Sequence, residues 1–297
     1  MFSKKMLFVY NPKAGKAQIR SRLADIIDIF TRAGYEITIY ATQKRGDAAK
    51  LVAGRDSTYN LVVCSGGDGT LDEVVNGMMK SGFRTPIGYI PAGSTNDFGG
   101  SLSLPKNMAQ AAQVIVKGRN FPCDVGAFNK DAFVYIAAFG LFTDVSYETK
   151  QDMKNLLGHM AYLLEGMKRL SAIRSYPMRV AWEERVIEDD FIFGMVTNSV
   201  SVGGFKRITG KNVQLDDGVF EVTLIKRPHN AIELNNIMIS LLNRDIDNHS
   251  MYCFRTGKVV FESEKPTAWT LDGENGGSHT RVEIENLTKE IEIRCML

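Results

Sequence analysis

Three short stretches place chemically useful residues close together: CSGGDGTLDE at 64–73, YNPKAGK at 10–16 and PAGSTNDF at 91–98. In the first, Gly66, Gly67 and Gly69 surround Asp68. Glycine reaches positive φ at little cost and leaves backbone N–H groups bare. A helix beginning near Thr70 would aim its partial positive charge at the same loop, which together makes an anion site suited to phosphates. Asp68 runs against that logic, because a carboxylate repels phosphate. It makes sense beside a divalent cation, since Mg2+ takes one or two carboxylates together with substrate phosphates. Lys13 and Lys16 bring positive charge near the cradle. Asp97 follows a second strand end and either reaches the same metal shell or serves as an Asx-turn or helix cap. Neither G-x-x-x-x-G-K-[ST] nor G-x-G-x-x-G after the first strand is present.

Two acidic stretches in the second half also carry chemistry. QLDDGVFEV at 214–222 sets Asp216 and Asp217 before a glycine, and Asp-Gly is a strong turn signal. LDGENGGSHTRVE at 271–283 places Asp272, Glu274, Gly277 and Glu283 at the first, third, sixth and twelfth places of an EF-hand loop. Its flanks alternate like strands, so a strand end presenting Asp272 and Glu274 is the better reading. Two residues apart on an extended chain, their side chains point the same way. One would serve as a general base and the other would orient it. His159, His229, His249 and His279 show no metal spacing.

The elements that must position these residues change in kind along the chain. Over the first ~120 residues short apolar strands alternate with helix-spaced runs, which implies a parallel sheet. KMLFVY, YEITIYA, NLVVCS and PIGYIP are the strands; AQIRSRLADIIDIFTRAG, DAAKLVAG, TLDEVVNGMMKSG and NMAQAAQVIVKG are the helices. The three glycine loops then fall at the carboxyl ends of strands, where open α/β sheets bind ligands. Beyond residue 120 the runs are mostly strand-like, and a second, β-rich and mostly antiparallel domain is expected. One helical patch interrupts it, MKNLLGHMAYLLEGMKRLSAI, with Met153, Leu156, Leu157, Met160, Leu163, Leu164 and Met167 along one stripe. Such a stripe faces a core or forms a wall for lipid entry.

Composition bounds the reading. A length of 297 residues is the size of about two domains. A hydrophobic share of 44% and a charged share of 24% are ordinary for a globular chain. The net charge of +2 gives no argument for nucleic acid. Cys64, Cys123, Cys253 and Cys295 form no C-x-x-C pair, which argues against zinc and for a reducing compartment. The apolar run in MFSKKMLFVYNP is too short for a signal peptide, and no run approaches the ~20 residues of a spanning helix.

NPKAGK, GGDGTLDEVVNG and PAGSTNDF, in this order and spacing, resemble the catalytic domain of the diacylglycerol kinase family. They are most similar to its soluble bacterial lipid kinases, relatives of sphingosine and ceramide kinases. The similarity extends to DVG at 124–126, QLDDGVFEV and LDGE at 271–274, and so covers essentially the whole chain. GGDGT alone is less specific, being shared with NAD kinases and phosphofructokinases. The bacterial members continue past the last strand, whereas this sequence ends at Leu297.

The resemblance implies an N-terminal α/β domain with a parallel sheet, of the NAD kinase/diacylglycerol kinase type, over residues 1–123. It implies a β-sandwich lipid-substrate domain over 124–297, with the active site in the interdomain cleft. It further implies transfer of the γ-phosphate of ATP to a lipid hydroxyl, with Mg2+ and water held by Asp68, Asp97 and Asp124. Nucleotide contacts map onto Asn11, Pro12, Lys13, Ala14, Gly15 and Lys16, onto Thr42, and onto Gly66, Gly67, Asp68, Gly69, Thr70, Leu71 and Asp72. Ser94 completes them, standing where the family commonly has threonine. A structural Mg2+, remote from the chemistry, maps onto the backbone oxygens of Gln214 and Val219 and the Asp217 carboxylate. Asp272 and Glu274 match the catalytic pair, with a slight lean to Glu274 as base.

The expectation is thus an ATP- and Mg2+-dependent lipid kinase making phosphatidic acid from diacylglycerol. Its partners are ATP and a lipid at the membrane surface, without nucleic acid or a transmembrane segment. It is expected in the cytoplasm, in peripheral contact with the membrane; a homodimer is left open. The alternatives are a kinase for a sphingoid base, undecaprenol or phosphatidylglycerol, or a non-catalytic lipid- or nucleotide-binding regulator. NAD kinase is more remote, and NPKAGK and LDGE count against it. Against a regulator stand the intact Asp68, Asp97, Asp124, Asp272 and Glu274.

Overall fold

The structure, a computed structural model, describes residues 4–55, 58–82, 84–141, 173–202, 205–206, 213–243 and 249–296. The helix expected over 153–170, with His159, lies outside the described residues. The chain divides into two compact units, Met1–Cys123 with Lys289–Leu297, and Asp124–Thr288.

In the first unit, β1 (Lys4–Tyr10), β2 (Tyr35–Ala41), β3 (Leu61–Gly66) and β4 (Ile87–Pro91) form a parallel sheet in the order β4-β3-β1-β2. All six residues of β3 and all five of β4 are buried, as expected of parallel strands covered on both faces. The covering helices are α1 (Ile19–Arg32), α2 (Asp47–Ala53), α3 (Asp68–Ser81), the short α4 (Asp97–Ser101) and α5 (Met108–Lys117). Helix α1 buries Ile19, Ile26 and Phe30 along one stripe, packed on the same core as Met6, Phe8 and Val63. Helix α5 starts at Asn107, whose side chain accepts from Ala109 N (3.0 Å) and Gln110 N (3.1 Å). Gly82, at φ 72°, takes the left-handed position that ends α3.

The second unit is built on antiparallel pairing. Its strands are β5 (Arg119–Phe128, shared with the first unit), β6 (Asp131–Phe133), β7 (Ile136–Gly140), β8 (Tyr176–Trp182) and β9 (Arg185–Thr197). A short hairpin of β10 (Ser201–Val202) and β11 (Phe205–Lys206) precedes β12 (Phe220–Lys226) and a helix, α6 (Ala231–Asn243). Then come β13 (Met251–Thr256), β14 (Lys258–Leu271) and β15 (Glu274–Cys295). The ladder runs β13-β12-β9-β7-β14-β15, antiparallel throughout. Trp269 centres its core, with the rings of Phe139, Phe261 and Phe128 at 4.8, 5.1 and 5.3 Å. Tilted and edge-on pairs of this kind add stability beyond buried area.

Two elements depart from the sequence reading. Lys289–Leu297, expected in the second domain, belongs to the first unit: Ile293 pairs in parallel with Ile87 of β4, and Ile291, Ile293 and Cys295 are buried. Helix α6 falls between two strand-like runs, in a stretch to which the sequence reading assigns no element. Its signal is a capping box: Glu233 N donates to Asn230 Oδ1 (2.8 Å), and His229 N donates back to Glu233 Oε2 (2.7 Å). Among the described residues no helix is long and apolar enough to cross a membrane.

Candidate active site

The loops after β1, β2, β3 and β4 meet at one end of the first sheet. Asn11 N donates to Ser65 O (2.8 Å), Thr42 N to Tyr10 O (2.9 Å) and Ala92 N to Gly66 O (2.7 Å). The glycines act here through what they lack. None of Gly66, Gly67 and Gly69 takes positive φ, contrary to the reason first given for them. A Cβ on Gly66 would lie 2.4 Å from the Thr70 side chain, and one on Gly93 would lie 2.6 Å from the Gly67 Cα. Gly15 does take positive φ (53°), and a Cβ there would lie 2.3 Å from Ala92 O. The glycines therefore let the three loops close on one another, a steric requirement that their spacing alone does not reveal.

Helix α3 starts at Asp68, two residues before the expected Thr70. The Asp68 carboxylate accepts from Asp97 N (3.1 Å) and Phe98 N (3.3 Å), so the GGDGT loop holds the first turn of α4. Asp97 itself is 3% exposed. Lys13, Lys16 and Ser94 are exposed, Asn11, Pro12, Gly15, Gly67, Gly69 and Asp72 are half-buried, and Thr42, Gly66 and Thr70 are buried beside them. Ala14 and Leu71 are core residues, so their part in the loop is packing. Asn11 Oδ1 accepts from Lys13 N (2.9 Å), shaping the NPKAG turn.

Three residues missed in the sequence hold this end together. Asn96, left-handed at φ 54°, accepts from Gly93 N (2.8 Å) and donates to Gly93 O (2.9 Å). The hydroxyl of buried Tyr89 lies 3.2 Å from Gly66 O and 3.3 Å from Asn96 Oδ1, joining both loops. Glu73 accepts from Gly46 N (2.7 Å) and Ala48 N (3.0 Å), tying α3 to the loop after Thr42. In that loop the N–H groups of Gln43 and Lys44 hold the Asp47 carboxyl below the usual carboxylate range. The signal for Asn96 was its type, since Asn tolerates left-handed backbone. Glu73 carried none, because its partners lie 25 and 27 residues away.

In the second unit, Asp124 is fully buried and its Oδ2 accepts from Gly218 N at 2.7 Å. Its backbone N donates to Leu215 O (2.7 Å), and its carbonyl accepts from Asn198 Nδ2 (3.0 Å). The DDG turn is thus bonded directly to Asp124. Asp272 and Gly273, at φ 50° and 81°, form the two-residue turn between β14 and β15, with Leu271 paired to Glu274. This corrects the expectation that Asp272 and Glu274 share one face of an extended chain: the left-handed turn breaks the alternation between them. Asp272 is 4% exposed, and its carboxylate accepts from Val134 N (2.6 Å), Tyr135 N (3.0 Å) and Ile136 N (2.9 Å). Three backbone donors make it a clamp on the start of β7. Glu274, at the first position of β15, is only half-buried.

The diacylglycerol kinase catalytic domain model matches residues 5–128. A Staphylococcus carnosus protein named diacylglycerol kinase is 32% identical over 292 residues, covering 98% of this chain and 94% of its own. A Bacillus subtilis protein of the same name is 31% identical, covering 98% and 96%. The chain belongs to the diacylglycerol kinase family. A crystal structure of a diacylglycerol kinase from Bacillus anthracis covers 98% of this chain and 97% of its own, at TM-score 0.76 and 25% identity. A second solved chain from that organism reaches TM-score 0.83 at 27% identity. Membership makes this chain a lipid kinase, as expected, and the alternative of a non-catalytic regulator is set aside.

A diacylglycerol kinase implies a nucleotide and Mg2+, and the two implied metal positions differ in fit. At the first sheet the donor set suits a metal: two carboxylates, Asp68 and Asp97, stand together among close-packed loops, with the Asp97 N–H bonded to Asp68. At the DDG turn it does not. Asp217 Oδ2 accepts from the Arg255 guanidinium, and its Oδ1 accepts from Val219 N (3.3 Å). Gln214 and Val219 offer only neutral carbonyl oxygens, and at neither position does a group of three His, Cys, Asp or Glu converge among the described residues.

Proposed function

We propose that this chain is an ATP- and Mg2+-dependent kinase that phosphorylates diacylglycerol to phosphatidic acid. The observation that carries the reading is the convergence of the three glycine-bearing loops, with Asp68 and Asp97, at the carboxyl ends of β1, β3 and β4. That end of a parallel sheet suits a nucleotide. Lys13 and Lys16 offset phosphate charge, and the hydroxyls of Thr42 and Ser94 add polar contacts. Asp68 and Asp97 hold the metal that, when bound, neutralises charge developing on the transferred group.

Asp272 and Glu274 are the family-matched acids to which we assign proton transfer, and Asp124 anchors the DDG turn. As the lipid oxygen bonds to the γ-phosphorus, the bond from that phosphorus to the ADP oxygen breaks, and the hydroxyl proton needs an acceptor. Glu274 takes it, while Asp272, filled by three backbone N–H groups, fixes the turn from which Glu274 projects. Diacylglycerol resides in membranes, so the chain works as a cytoplasmic protein in peripheral contact with one.

The test is transfer of label from γ-labelled ATP to a panel of lipid alcohols in detergent micelles with Mg2+. Diacylglycerol should be labelled fastest. Preferential labelling of a sphingoid base, undecaprenol or phosphatidylglycerol would overturn the choice of acceptor.

A further inference from the structure

We propose that Arg255 is the resident cation of the Asp217 turn, standing in for the structural Mg2+ that family resemblance implies there. Strand register places it: Arg255 of β13 lies directly opposite Glu221 of β12. Its Nε donates to Glu221 Oε1 at 3.2 Å, and its terminal nitrogen donates to Asp217 Oδ2. One planar guanidinium therefore spans two carboxylates four residues apart, one on the turn and one on the strand leaving it. That fork geometry is what arginine offers and a point charge does not. The turn is tied to the sheet by a cation that the chain carries covalently.

Arginine and Mg2+ exclude each other at this place. Mg2+ demands a nearly octahedral oxygen shell at about 2.0–2.1 Å. The Asp217 oxygens face the guanidinium on one side and Val219 N–H on the other. A dication at the same carboxylate would sit against a positive guanidinium. Moving Arg255 away would strip Glu221, which is 6% exposed, of its cation. A buried carboxylate that loses its partner is strongly destabilising. The pair is thus self-consistent without metal, and admitting metal breaks both halves of it.

A ligand that binds only the folded state raises its stability, so a structural metal must register in thermal melts. The full-length chain, free of nucleotide, is melted in EDTA and in excess Mg2+ as wild type, Asp217→Asn and Arg255→Gln. The shift between EDTA and Mg2+ should be the same in wild type and Asp217→Asn. Arg255→Gln should melt about 2–4 °C lower in EDTA, the usual scale for losing one such interaction in a chain this size. In the Asp217→Asn background the same change should matter less, because the two act through one contact. A Mg2+-dependent rise in the wild type that Asp217→Asn lacks overturns the proposal. Should Asp217→Asn not fold, Asp68→Asn, which weakens the other implied metal position, decides: a melt that EDTA leaves unchanged in that background supports Arg255 as the cation, and a fall overturns it.

Discussion

At the scale of single residues, the two acids of LDGE differ in surroundings, Asp272 buried and Glu274 half-buried. Asp272 accepts three backbone N–H groups, and an amide in its place would turn an NH2 toward at least one of them. Asp272→Asn should therefore lose about 1–3 kcal/mol of stability, read from the denaturant midpoint. Glu274→Gln should melt like the wild type yet lose at least ~100-fold in kcat with ATP affinity unchanged. Near-normal kcat in Glu274→Gln would move proton removal to another group. Glu221 gives a pH prediction. Burial pushes its carboxyl up to about 7 from an ordinary 4.5, against the pull of Arg255 and with the push of Asp217. The folded state then holds a proton that the unfolded chain has lost, so this contribution is complete below about pH 4.5 and fades toward pH 7. Denaturation profiles of Glu221→Gln should lack that decline; an unchanged slope would assign it to other groups.

At the scale of elements, loops and turns decide the site. Asp68→Ala should nearly abolish turnover and also free the two N–H groups that open α4, at a cost of about 1 kcal/mol, comparable to losing an N-cap. Asp68→Asn keeps an acceptor for α4 but removes the charge. Its NH2 must face one of the two donors, so it should melt below the wild type but no lower than Asp68→Ala, and still lose turnover; a fully active Asp68→Asn would refute a role for the charge. Much of this layer was legible in the sequence. The period of apolar residues marked β1 to β4 and α1, α3 and α5, and strand–loop–helix order put the glycines at strand ends. What stayed hidden depends on long-range geometry. The collision that makes Gly93 necessary is with Gly67, and the donors to Asp272 come from residues 134–136. The Asp-Gly turn signal at 272–273 was present but was outweighed by reading LDGE as extended. The capping box of α6 was also present, within a region whose texture favoured strands.

At the scale of the whole molecule, the chain does not divide at a single point. The first unit is completed by Lys289–Leu297, whose Ile293 extends its sheet beside Ile87. Deleting residues 289–297 should destabilise that unit by several kcal/mol, since each fully buried isoleucine contributes about 1.5–3 kcal/mol. The loss should appear as a lower melting temperature and weaker ATP binding, and a truncated chain that melts like the wild type would contradict it. Sequence texture could not show this return, because a final strand reads alike whichever sheet it joins. The central claim, that this lipid kinase phosphorylates diacylglycerol, is tested most directly by product stoichiometry in mixed micelles containing diacylglycerol, ATP and Mg2+. The account predicts that phosphatidic acid and ADP accumulate in equal amounts with the wild type and at least ~100-fold more slowly with Glu274→Gln. ADP release without phosphatidic acid, or equal rates from the two proteins, would contradict it.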